Sequence, residues 1–136
     1  EEEKAFAEKI SATLGKGAPE ISSAEKIQPY RETARAYGST DVGDVSYTVP
    51  TAGLGTATWV PGTPAHSWQA VAAGGMSIGS KGMMVAAKTL ALTAMDIFEN
   101  PKTVETAKKE LEERRGKDFK YIPMLGNRPP ALDYRK

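Results

Sequence analysis

The stretch Asp44-Val45-Ser46-Tyr47-Thr48-Val49-Pro50, followed by Thr56-Ala57-Thr58-Trp59-Val60, decides the fold class. Val45, Tyr47 and Val49 alternate with polar neighbours at the two-residue period of a strand, and Thr56, Thr58 and Val60 repeat that period around Trp59. β-Branched and aromatic side chains suit a pleated, half-buried surface. From Gly38 to His66 the chain is rich in Gly, Thr, Val and Pro and carries few charges besides Asp41 and Asp44. Strands, and the loops that leave them, are expected here.

Helical signals flank this region. Phe6, Ile10 and Leu14 stand four residues apart behind Glu1, Glu2 and Glu3, whose carboxylates favour the positive end of a helix. Gly15, Gly17 and Pro19 end that helix. Ser22 and Glu25 have capping-box spacing before a short helical turn that Pro29 interrupts. Met83, Ala87, Leu90, Ala94 and Phe98 form one apolar stripe, widened by Met84, Ala91 and Met95. That helix is expected to start at Ser80 as N-cap and to be the most buried element. Asn100-Pro101 opens a charged helix that ends at Gly116; its narrow stripe of Val104, Ala107 and Leu111 puts it on the surface, with Glu105 and Lys109 as one supporting pair. Beyond Tyr121, prolines 123, 129 and 130 make the tail irregular, held where Tyr121, Ile122, Leu125 or Leu132 docks.

A chain of 136 residues has room for one modest domain, and 40% apolar with 26% charged residues is the composition of a folded protein. Eighteen basic against seventeen acidic residues leave a charge of +1, too small for a field that gathers nucleic acid. Without cysteine there are no disulfides, thiolate nucleophiles or cysteine-held metals, which fits a reducing compartment, with the cytoplasm as the default. Gly82 to Phe98 is too short and too interrupted by Lys88 and Asp96 to span a membrane, so no membrane partner is expected. The first residue is Glu1 rather than methionine, which points to an upstream portion.

Two stretches combine turn residues with ligand-type side chains at expected strand ends, where α/β sheets place their sites: Ser39-Thr40-Asp41-Val42-Gly43-Asp44-Val45-Ser46 and Pro61-Gly62-Thr63-Pro64-Ala65-His66-Ser67-Trp68. Asp41 and Asp44 have an equally local use, capping a turn or a short helix near Gly43. His66, the single histidine, can ligate a metal, carry a proton or make a structural hydrogen bond. Gly74 to Gly82 lacks P-loop spacing and reads as a glycine turn feeding a helix. No Gly-x-Ser-x-Gly elbow is present. Arg31 and Arg35 share a possible helix face, more suited to solvation than to anion binding.

Three motifs carry a resemblance. Gly38 to Ser46, Gly62-Thr63-Pro64-Ala65-His66-Ser67-Trp68-Gln69 and Ser77-Ile78-Gly79-Ser80-Lys81-Gly82-Met83 resemble the C-terminal part of the M20 family of zinc amidohydrolases and peptidases, in its aminobenzoyl-glutamate utilisation branch. The resemblance implies an α/β fold: a partial catalytic domain, 1–136, with a few strands of a larger sheet and flanking helices, the lid domain and N-terminal catalytic half being absent. It implies metal-dependent hydrolysis of an amide bond in an N-acyl or aminobenzoyl amino acid or dipeptide-like substrate by a full-length parent holding two zinc ions or similar divalent metals. His66 matches the late metal-ligating histidine and Asp41 an acidic residue beside the site, with Asp44 and Ser80 as pocket neighbours. Ser80 stands where relatives of this type carry histidine, and serine cannot replace imidazole as a ligand. The general base and the remaining ligands would lie upstream, so the resemblance assigns no catalytic residue to this chain and implies that the segment alone is inactive, with an incomplete metal site.

The partners so implied are the remainder of the catalytic domain, or further copies through self-association of the segment or homo-oligomerisation of the parent. The alternative is a small non-enzymatic structural or partner-binding domain.

Overall fold

The structure, a computed structural model, describes residues 1–30, 38 and 40–133. Arg31, Arg35 and Ser39 lie outside them. The elements are α1 (Glu2–Ser11), a 3-10 turn (Ile21–Glu25), α2 (Val42–Ser46), α3 (Trp68–Gly74), α4 (Ser77–Glu99) and α5 (Pro101–Arg115). There is no strand among the described residues. The expectation of an α/β partial catalytic domain with a few strands is thereby corrected: what is described is helical. Packing groups the elements into two compact units, one built on α1, the 3-10 turn, α3 and α4, the other on α2, α5 and the residues after α5.

Local hydrogen bonds explain why the alternating stretches are not strands. In α2 and just after it, Ser46 Oγ donates to the Gly43 carbonyl at 3.1 Å, and Thr48 Oγ1 donates to the carbonyls of Asp44 and Val45 at 3.0 and 2.9 Å. Hydroxyls that bond back three and four residues offer the backbone a helical turn in place of a ladder. Around Trp59, Thr58 N donates to Thr56 O at 2.9 Å, and Thr56 Oγ1 donates to the Gly82 carbonyl of α4 at 3.0 Å. This segment lies against a helix, with no strand alongside to complete a ladder.

In the first unit, Ala7 and Ile10 of α1 bury against Val60, and Phe6, Ile21, Ala72 and Ile78 pack around them. The four-residue spacing in α1 thus does supply the core, but the helix ends at Ser11, where Thr13 Oγ1 donates to Ile10 O at 2.7 Å. The helix α3 was not expected; its signal is Ser67, whose side chain accepts from Ala70 N at 3.2 Å as an N-cap before an Ala-rich turn. The α4 helix starts at Ser77, upstream of the expected cap, so Ser80 lies inside its first turn rather than capping it. Nor is α4 the most buried element, since Gly82 is its one buried residue. A Cβ at Gly82 would lie 2.8 Å from both the Ala57 carbonyl carbon and Thr58 Cγ2, and one at Gly79 2.8 Å from Ala73 O. Glycine is what lets α4 approach the 57–58 segment and α3 so closely.

In the second unit, α5 opens at Asn100-Pro101 and ends at Gly116, whose φ of 82° suits glycine. Ion pairs along it include Arg114 with Glu110 at 2.7 Å and Lys109 with Glu113 at 3.9 Å, where Lys109 meets Glu113 instead of the expected Glu105. Arg115 Nη1 donates to Tyr47 O at 2.8 Å, and the Tyr47 and Phe119 rings stack with centroids 5.6 Å apart. The Arg115 guanidinium sits 5.7 Å from the Phe119 centroid. Tyr121 donates to the Asp44 carboxylate. Further along, Ile122, Leu125 and Leu132 are exposed rather than docked. No helix among the described residues is long and apolar enough to cross a membrane.

Candidate functional site

The four residues singled out from sequence fall two to a unit, and each has a local explanation. His66 lies in the loop that enters α3, exposed, with a φ of 59°. A non-glycine residue in that left-handed region is uncommon and marks a tight turn. The loop is fixed upstream by Gly62, also at positive φ, where a Cβ would lie 3.0 Å from Pro19 Cδ. Ser67, next to His66, donates to Pro64 O at 2.7 Å while capping α3. Between Gly62 and Ser67, Thr63 Oγ1 is buried without a hydrogen-bond partner.

Ser80 is exposed in the first turn of α4, on a shallow groove with Ser77, Lys81, Met84 and Lys88. The groove's polar contacts are made by its neighbours. Ser77 Oγ donates to the Glu3 carboxylate, and Lys81 Nζ donates to the same group at 2.9 Å. Lys81 foremost, then Ser77, holds the Glu3 carboxyl below its ordinary pKa. The sequence hinted at Glu3 only as a helix-end charge; its partners lie more than 70 positions away.

Asp41 occupies the residue before α2, but its side chain makes no cap bond; the amide of Val42 is met by Thr40 Oγ1 at 3.3 Å instead. Asp44, in the first turn of α2, accepts from Tyr121, and that bond raises the phenol's pKa.

Among the described residues, no group of three or more His, Cys, Asp and Glu side chains is placed to hold a metal ion. This overturns the expectation of a zinc amidohydrolase or peptidase, with its two-zinc cofactor and its metal-dependent cleavage of N-acyl or aminobenzoyl substrates, because such chemistry needs several ligands converging on one point. The groove on α4 is lined by serines, lysines and apolar side chains.

No protein-family profile matches the chain, and no solved structure matches it. Over 109 residues it is 35% identical to the B subunit of p-aminobenzoyl-glutamate hydrolase from Escherichia coli (strain K12), a stretch that makes up 79% of this chain and 23% of that protein. The chain therefore spans only about a quarter of that relative's length. A likeness of that extent, with no sheet among the described residues, corrects the expectation that the chain is the C-terminal part of an M20-family zinc amidohydrolase or peptidase.

Proposed function

We propose that this chain is a structural, partner-binding segment whose working surface is the second half of α4. One observation carries the reading: from Val85 to Glu99 every residue except Ala86 is exposed, including Leu90, Leu92, Met95, Ile97 and Phe98. A helix that is apolar on most sides is normally covered by other polypeptide.

The likeness to a stretch of the p-aminobenzoyl-glutamate hydrolase B subunit fits a segment of this kind, because there the matching residues are part of a much longer polypeptide.

Binding of the apolar dye anilinonaphthalene sulfonate tests the proposal. The monomeric chain should bind it strongly at neutral pH, and the double substitution Leu90→Ser with Phe98→Ser should remove most of the signal. A chain that is monomeric in solution and binds no dye would overturn the reading.

A further inference from the structure

From the charge pattern of α4 we infer that its bare second half pairs with the same helix of a second copy, antiparallel and centred on Leu92. The inference rests on the partner-binding reading above and names the partner. Lys88, Leu92 and Asp96 stand at four-residue spacing, so they form one row along the helix surface. Lys88 and Asp96 are exposed and have no ion-pair partner among the described residues.

A two-fold axis at Leu92 sets Lys88 of each copy against Asp96 of the other and Leu92 against Leu92. The parallel arrangement sets lysine against lysine and aspartate against aspartate. Opposite charges on either side of an apolar centre thus select one orientation, as flanking charges do in paired helices generally. In this register the overlap runs from Val85 to Glu99, about 22 Å of helix, which is the stretch left uncovered. Lys81, already held by Glu3, lies beyond it.

Sedimentation of the intact chain, together with single-cysteine variants in a chain that has no cysteine of its own, tests the inference. The expected mass is twice 14.6 kDa, and mild oxidation of Leu92→Cys should give a covalent dimer. Leu90→Cys, on the other side of the helix, should crosslink far more slowly. Lys88→Glu and Asp96→Lys should each raise the dissociation constant about tenfold, since two pairs per dimer turn from attraction to repulsion, and the double variant should recover most of it.

A monomer at all concentrations, aggregates of no fixed mass that ignore the charge substitutions, or equal crosslinking at positions 90 and 92 would each overturn the second-copy inference. A monomer that still binds the dye does so while leaving the partner-binding reading in place with another occupant. A monomer that binds no dye overturns both.

Discussion

Glu3 and Lys81 form an ion pair at 2.8 Å that fastens the first turn of α1 to α4, with Ser77 donating to the same carboxylate. This clasp sets how α1 lies over Ile78 and Val60 in the small core. It also has a pH signature.

Because the folded state holds the Glu3 carboxyl below its ordinary range, the unfolded chain takes up a proton first on acidification. The stabilisation is therefore present above the unfolded-state pKa and is lost as the pH falls through the folded one. Glu3→Gln should lower the midpoint of thermal unfolding slightly at neutral pH, and the gap to the native chain should close in acid. High salt should narrow it as well, since the pair is solvent-accessible. A gap that persists unchanged in acid would show that the substitution acts through something other than charge.

Gly82 offers a test of the close approach between α4 and the 57–58 segment. The added methyl of Gly82→Ala would press on the Ala57 carbonyl and on Thr58 Cγ2 and would strain the Thr56 hydrogen bond to residue 82. A loss of about 1–3 kcal/mol in denaturant unfolding is expected from overpacking of this kind. Gly74→Ala, whose Cβ meets open space at the end of α3, should be neutral or gain up to about 1 kcal/mol. Equal effects at the two positions would contradict the packing described.

How much of this was legible in the sequence depends on how far the deciding interaction reaches along the chain. The four-residue spacing of Phe6 and Ile10, and the Asn100-Pro101 to Gly116 punctuation of α5, are local signals; α5 forms where they place it, and α1 forms over Phe6 and Ile10 but ends at Ser11, short of Leu14 and Gly15. The alternation of Val45, Tyr47 and Val49 is local too, but it competes with Ser46 and Thr48 hydroxyls bonding back along a helical turn, and the turn wins. Burial of α4 could not be read from its composition, since burial depends on what else is present to cover it. His66 shows the same limit: its sequence context marks a fixed turn, which is what is found, while a ligand role needs neighbours that no single stretch specifies.

Thr63 provides the third prediction. Its hydroxyl is buried with no partner, in a loop whose backbone is otherwise anchored by Thr63 N donating to Val60 O at 3.1 Å. An unpaired buried hydroxyl costs free energy that an isosteric methyl does not, so Thr63→Val should stabilise the fold by about 1 kcal/mol in denaturant unfolding. Thr63→Ser, which keeps the hydroxyl and loses the methyl contact, should destabilise it. The opposite order would mean that the hydroxyl is hydrogen-bonded in solution.

Tyr121 and Asp44 provide the last. The carboxylate accepts a hydrogen bond from the phenol, and this bond raises the Tyr121 pKa, so the folded chain keeps the phenol's proton to higher pH than the unfolded chain does. The bond's contribution is therefore complete below the unfolded-state pKa of tyrosine and disappears as the pH rises through the folded one. In an ultraviolet titration of the five tyrosines, Tyr121 should ionise later than a free phenol. Tyr121→Phe should delete that late step, and Asp44→Asn should keep the step but move it back toward the ordinary range. Because Tyr47, Phe119 and Arg115 form a separate contact in the same unit, its helical signal should survive both substitutions. If Asp44→Asn leaves the late step where it was, the carboxylate does not hold the phenol's proton, and α2 is tied to the residues after α5 by the Tyr47, Phe119 and Arg115 cluster alone.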